Sequence, residues 1–147
     1  MKRVVITGMG GISPIGQNWE TVSGKLKSRE SGVVYMQDWE IYEGLNTRLG
    51  APVLDFEMPS HYKRKQLRSM DRVAKMSVAV AETAITDAGL LDDPCIKDGR
   101  MGVAFGSSVG GVEAVTEFGH MLLNHSTDKI NSTTYVRMMS HTMAVNI

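Results

Sequence analysis

The sequence predicts an α/β domain, and three stretches carry that expectation. Val4-Val5-Ile6-Thr7 is a short β-branched run bounded by Gly8, which reads as a buried strand. From Met70 the residues Val73, Ala74, Met76, Val78, Ala81, Ala84 and Ile85 describe a helix apolar almost all round. Such a helix is buried on most sides, and its alanines permit close approach of neighbours. Met101 to Phe105 is another apolar run that feeds the turn Gly106-Ser107-Ser108-Val109-Gly110, after which a helical pattern starts at once.

The bulk properties bound what such a domain can be. At 147 residues the chain has the size of one domain with a real core. It is 42% hydrophobic and 22% charged, and sixteen basic residues balance sixteen acidic ones, so the charge suggests no nucleic-acid or membrane partner. The lone Cys95 excludes an intrachain disulfide framework and a thiolate metal cluster, which makes a reducing, cytoplasmic setting the default. The amino terminus lacks the long apolar region of a signal peptide, and no apolar run is long enough to span a bilayer. The eleven methionines read as adaptable core filler.

Taken in order, the first strand run is followed by Gly8-Met9-Gly10-Gly11. A dinucleotide fingerprint fails there, because its third glycine would fall at Ser13 and Pro14 follows where a helix should be running. The glycines instead read as residues that let the backbone pack closely at a turn. Asn18 is the expected N-cap of a helix carrying Trp19, Val22 and Leu26, closed by Ser31-Gly32. The stretch from Val33 to Met58 is irregular, with a strand near Arg48 to Val53. Lys63, Arg64, Lys65, Arg68, Arg72 and Lys75 then crowd one segment, opposed only by Asp71. A charge run is first of all a solvated face, but this one is strongly basic in a neutral chain and so suits an acidic or phosphate-bearing partner. Gly89 with Leu90 reads as the C′ glycine of the buried helix and its apolar companion. After the turn at Gly106, a helix carrying Val112, Val115, Gly119 and Leu122 ends near Asn124, and His125 to Thr134 is a polar loop. Tyr135 to Ile147 reads as one further helix, rich in methionine. It stops without a cap, as if the natural polypeptide continues.

The turn spells G-x-S-x-G, which in a strand–turn–helix setting suggests a nucleophilic serine, Ser108. A triad would need an acid and a histidine downstream, and Asp128 and His141 stand in that order. No further strand follows to carry them, and no oxyanion-hole glycine motif precedes the turn. His61, His120, His125 and His141 show no metal-ligand spacing. Cys95 lies beside Asp92, Asp93 and Pro94, where acidic neighbours should raise a thiol pKa. The residues contain no complete catalytic constellation.

Together these stretches resemble one family. MKRVVITGMGGISPIG is similar to the opening of the type II elongating β-ketoacyl-acyl carrier protein synthases, condensing enzymes of fatty-acid and polyketide synthesis. KRKQLRSMDRVAKMSVAVAETAITDAGL resembles their basic segment and buried helix, and RMGVAFGSSVGG their Gly-rich strand–turn. TRLGAPV with MMSHTMAVNI is similar to the branch associated with aryl polyene pigments. The resemblance implies the first half of a thiolase-like fold, layered αβαβα and normally dimeric, with residues 1–147 an incomplete half-domain. It also implies a decarboxylative Claisen condensation between a cysteine-bound acyl thioester and malonyl-acyl carrier protein.

Residue by residue, the resemblance implies less. The family's cysteine follows the helix on which this sequence ends and its two histidines come later, so the chain carries no catalytic residue and should be inactive alone. Cys95, His120 and His141 do not match those positions. Lys65 and Arg68 match basic residues that dock the acidic carrier protein, as does Lys129, while Ser69 and Asp128 depart from basic residues common there. Val109 matches the apolar residue that gates the acyl pocket, and Tyr135 and Met138 fall in the segment lining it. Ser108 stands where most relatives have glycine. No cofactor is implied beyond the phosphopantetheine of the carrier protein, and the implied partners are that protein and a second ketosynthase subunit, as homodimer or heterodimer. Two alternatives remain: a non-catalytic partner subunit of the chain-length-factor type, and a hydrolase using Ser108.

Overall fold

The computed structural model describes residues 3–147, so Met1 and Lys2 of the amino-terminal motif lie outside the described residues. The chain divides into two compact units, Gly11–Glu57 and a larger one joining the residues up to Gly10 with Met58–Ile147.

In the smaller unit, helix α1 (Trp19–Ser28) starts where Asn18 predicts it: the Asn18 side chain accepts the Thr21 N–H at 2.9 Å. It closes earlier than Ser31-Gly32, through Arg29 in the left-handed region, whose N–H returns to Leu26 and Lys25. Gly32 serves packing instead, since a Cβ there would press into Pro14. The expected strand at Arg48 to Val53 is reduced to β2 (Leu49–Gly50), paired antiparallel with β1 (Val34–Tyr35). A single turn of 3-10 helix, Gln37–Ile41, lies between them, and Met36 and Trp39 fill the space a side chain on Gly50 would need.

The larger unit is organised by helix α3 (Arg72–Asp87), preceded by the short basic helix α2 (Arg64–Leu67). Asp71 caps α3, accepting the Ala74 N–H at 2.6 Å. Its far end is a complete Schellman closure: Gly89, at φ 70°, donates to the Thr86 carbonyl and Leu90 to the Ile85 carbonyl. Met70, Ala74, Val78 and Met143 form the core, with Met58, Tyr62 and Leu67 packed against it. Among the described residues α3 is less enclosed than its all-round apolar sequence predicts, since only Ala74, Ser77 and Val78 are fully buried. Gly8 and Gly10 do pack closely, though against α3 rather than at a turn: a side chain on either would collide with the α3 backbone, at Ala84 and Val80 respectively. Met9 between them donates its N–H to Asp87 at 2.9 Å.

The two strand runs depart from expectation. Val4–Thr7 and Met101–Phe105 join no ladder among the described residues, and Val4 and Ile6 are 96% and 83% exposed. Their residues favour a pleated, half-buried surface, but that preference becomes a strand only when a neighbouring backbone supplies the ladder.

Helix α4 (Val112–Asn124) ends at the predicted residue, with His125 in the left-handed region. The single helix expected over Tyr135 to Ile147 is instead two, α5 (Thr134–Met138) and α6 (Thr142–Asn146), separated by an extended Met139. The carbonyls that would continue α5 are engaged elsewhere. Arg137 O accepts from Gly111 and Met138 O from Gly110, while Val136 O accepts from the Met139 N–H and the Thr142 hydroxyl. The break returns Met143 to the core, where it is fully buried.

Truncating Met143 to alanine should cost about 2–5 kcal/mol through lost burial and the cavity left behind. Val145→Ala, at a site 72% exposed on the same helix, should change little. Thermal unfolding midpoints of the two variants measure the contrast, and equal shifts would deny α6 its place in the core.

Candidate functional site

The Gly-rich turn after Phe105 is held from two sides. Ser107 Oγ donates to the Val109 carbonyl at 2.7 Å, which tightens the loop and leaves the Val109 side chain 44% exposed. Gly110 and Gly111, both buried, donate their N–H groups to Met138 O at 3.2 Å and Arg137 O at 2.8 Å. A Cβ on Gly110 would overlap the backbone of Arg137 and Met138, and one on Gly111 would meet the Asp71 carboxylate. Glycine is therefore required at both positions by contact with neighbours. Asp71 Oδ1 is used by the α3 cap, and Oδ2 is buried without a hydrogen-bond partner among the described residues, against Gly111.

The segment that receives the turn is anchored in its own right. Arg137 Nη2 donates to both carboxylate oxygens of Glu117 on α4, at 3.0 and 2.8 Å, and the Thr134 hydroxyl donates to Glu117 Oε2 at 2.6 Å. The two charged side chains are only 14% and 23% exposed. The Thr134 hydroxyl, followed by Arg137, holds the Glu117 carboxyl below its ordinary range. Thr134 itself is buried, so α5 is fastened to α4 at both ends of its single turn.

The residues singled out by sequence fall into separate groups. Val109 and Met138 come together through the turn, because the residue after Val109 bonds to the Met138 carbonyl. Tyr135 is on the same short helix but 62% exposed. Lys65 lies on α2 and Arg68 at its end, both exposed. Lys129 is in the loop after α4, where it lines a cleft of about 420 Å³ with Val112, Glu113, Thr116, Glu117 and His120.

The alternative nucleophiles gain no support from their surroundings. Asp128 accepts from Ser126 Oγ at 2.8 Å and lies 3.6 Å from His120, whereas His141 stands at the start of α6. Among the described residues, neither Asp128 nor His141 makes a hydrogen bond or ion pair with Ser108. The Cys95 thiol is pushed up, first by its interaction with the Asp93 carboxylate, as the acidic neighbours predicted.

Sequence reasoning missed Asp71, Glu117, Thr134 and Arg137. Asp71 had a local signal, since an Asp before Arg72-Val73-Ala74 is an N-cap pattern. Glu117 and Arg137 had none, because a polar loop separates them and nothing in the spacing pairs them.

Comparison with known proteins follows the same lines. A family model described as "Beta-ketoacyl synthase, N-terminal domain" matches residues 1–147. The chain is 34% identical over 122 residues to the 3-oxoacyl-[acyl-carrier-protein] synthase 2 of Vibrio harveyi, covering 83% of this chain and 29% of that protein. Against the enzyme of the same name from Staphylococcus aureus (strain COL), identity is 33% over 145 residues, with 97% and 34% covered. The backbone matches a β-ketoacyl synthase from Burkholderia phymatum STM815 with a TM-score of 0.92 at 49% identity, over 99% of this chain and 36% of that one. The ishigamide ketosynthase/chain length factor, at 24% identity and a TM-score of 0.66, shares the fold. The chain thus spans about a third of the length of these relatives. The α/β, thiolase-like class predicted from the sequence is that of the Burkholderia structure.

The depressed Glu117 carboxyl makes stability pH-dependent with a definite sign. Its folded-state value lies below the unfolded one of about 4.3, so its contribution is complete above that pH. The contribution is lost as pH falls through the folded value. Arg137→Met should therefore flatten the fall in unfolding midpoint on acidification from about pH 5 to pH 3. An unaltered slope would mean that Arg137 contributes nothing to the shift.

Proposed function

The chain belongs to the β-ketoacyl synthase family through its N-terminal domain, and on that premise we propose that it is part of a 3-oxoacyl-acyl carrier protein synthase. The observation that carries this is the 0.92 TM-score match, over nearly the whole chain, to a β-ketoacyl synthase with which it shares 49% of its residues. The reaction is an acyl transfer with loss of carbon dioxide. A cysteine thiolate displaces the carrier thiol and holds the acyl group as a thioester. Malonyl-carrier protein releases carbon dioxide, and the resulting carbanion attacks the thioester carbonyl. The new C–C bond forms as the C–S bond to the enzyme breaks, freeing the thiolate. Two histidines would stabilise the developing oxyanion.

We place the cysteine and both histidines in the part of the relatives that this chain does not span. The raised Cys95 pKa supports that assignment, because a nucleophilic thiol needs a lowered one. These residues would supply the surroundings of the chemistry. Val109, on a turn pinned by Gly110 and Gly111, gates the acyl pocket, and Met138 and Tyr135 line it. The solvent-facing cations Lys65, Arg68 and Lys129 dock the acidic carrier protein and its phosphopantetheine arm. A second ketosynthase-type subunit, identical or of the chain-length-factor kind, completes the assembly, and the likeness of TRLGAPV and MMSHTMAVNI to the aryl polyene branch supports that branch for the protein. Among the described residues no helix is long and apolar enough to cross a membrane, and we assign the protein to the cytoplasm.

The test is condensation by the natural polypeptide, supplied with acyl- and malonyl-carrier protein. Carbon dioxide release and a 3-oxoacyl product two carbons longer than the acyl donor are expected. Stimulation of a separate ketosynthase without condensation by the protein itself would make it a partner subunit. Labelling of Ser108 by a fluorophosphonate, with activity lost in Ser108→Ala, would make it a hydrolase.

Carrier docking has its own expected outcome. Exposed ion pairs contribute about 0.2–1 kcal/mol each, so Lys65→Glu with Arg68→Glu should weaken carrier-protein binding on the order of tenfold at low salt. The effect should shrink as salt is raised. Equal binding by wild type and variant at both ionic strengths would reduce the patch to a solvated face.

A further inference from the structure

Glu117 and Arg137 form an ion pair that is joined by backbone hydrogen bonds to the turn that carries Val109. Arg137 faces two ways. Its guanidinium holds the Glu117 carboxylate with two bonds, while its own carbonyl, together with that of Met138, receives the N–H groups of Gly110 and Gly111. The turn has no slack against this segment, because Gly110 already touches the Arg137 and Met138 backbone and Gly111 is backed by Asp71. Helix α5 is a single turn, too short to hold its position by its own hydrogen bonds. What fixes it is Arg137 Nη2, shared between both carboxylate oxygens, and the hydroxyl of Thr134, converging on one carboxylate.

We infer that the Glu117–Arg137 pair is a positioning latch for the acyl-site turn: by fixing α5 it sets where Val109 stands, and so which acyl chain lengths the pocket accepts. The inference rests on the proposed ketosynthase reading, in which Val109 and Met138 border that pocket. In that reading Glu117 and Arg137 act on the pocket through the backbone they position. Arg137 also has a buried Nε without a hydrogen-bond partner among the described residues. Loss of the Glu117 charge would leave the cation half-buried without its counter-ion, and α5 would shift to solvate it.

Two readouts on the full natural polypeptide separate the latch from a purely structural role. Hydrogen exchange of the peptide spanning residues 107–111 reports on the Gly110 and Gly111 bonds. The ratio of kcat/KM for a long and a short acyl-carrier protein reports on selection. Glu117→Gln should speed the exchange on the order of tenfold and shift that ratio by a similar factor, mostly through KM. Arg137→Lys keeps the charge on a shorter, more strongly hydrated head group and should move both readouts less. It also serves if Glu117→Gln does not fold. Exchanging the charges, as Glu117→Arg with Arg137→Glu, should recover part of both losses. Unchanged exchange in a folded Glu117→Gln protein overturns the latch. Faster exchange with an unchanged acyl-length ratio overturns its role in selection. If the wild-type protein does not condense at all, the ketosynthase reading and the role in selection fall together, and the exchange experiment alone decides whether the pair holds the turn.

Discussion

Two backbone hydrogen bonds, from Gly110 and Gly111 to the carbonyls of Met138 and Arg137, are the constraint on which the larger unit depends. Each is an ordinary bond, contributing about 0.5–1.5 kcal/mol net. Their importance is positional. They tie the turn before α4 to a segment close to the carboxyl end of the chain, at such short range that Gly110 cannot carry a side chain. Asp71 closes the arrangement from the opposite side, so the cap of the central helix and the Gly-rich turn share one contact. A change at any of the three elements is felt at the other two.

The same bonds explain one of the elements that sequence periodicity misjudges. Residues Tyr135 to Ile147 have the composition of a continuous helix, and intrinsic preference would make them one. Gly110 and Gly111 take the carbonyls of Met138 and Arg137, while the Met139 and Thr142 N–H groups bond to Val136 O and Met139 O rather than in the i→i−4 pattern of a continuous helix. The chain ends α5, extends Met139 and restarts as α6, with the Thr142 hydroxyl on the Val136 carbonyl. The restart is what buries Met143 beside Ala74 and Val78.

What was legible in the sequence was local. Asn18 caps α1, Gly89 and Leu90 close α3, and α4 ends at Asn124, because each depends on a few adjacent residues. The glycines at positions 8 and 10 were legible as points of close approach, but the neighbour they approach is α3, distant in sequence, which no local pattern supplies. The strands were not, since Val4–Thr7 and Met101–Phe105 have strand composition but no ladder among the described residues. A ladder is a property of two segments, and composition reports on only one. The site shows the same division. The Gly-rich turn and the basic segment could be found by eye, whereas Glu117 and Arg137 meet only because α4 and α5 fold back on each other.

That division changes how the turn itself should be read. As letters, G-x-S-x-G draws attention to Ser108, and a nucleophile elbow would need that serine strained and faced by a base. The structure puts the constraint elsewhere. The buried, sterically enforced residues are the two glycines after Val109, and the serine bonded within the turn is Ser107, to the Val109 carbonyl. A turn built to present Ser108 would spend its contacts on that side chain. This one spends them on holding the backbone that carries Val109, an apolar residue with no chemistry of its own. Such an expense is intelligible if the position of an apolar surface matters, as it does where a hydrocarbon chain must be admitted to one depth and no further. The Glu117–Arg137 pair is then the outer layer of the same device, two residues on separate helices that keep the acceptors of the turn in place.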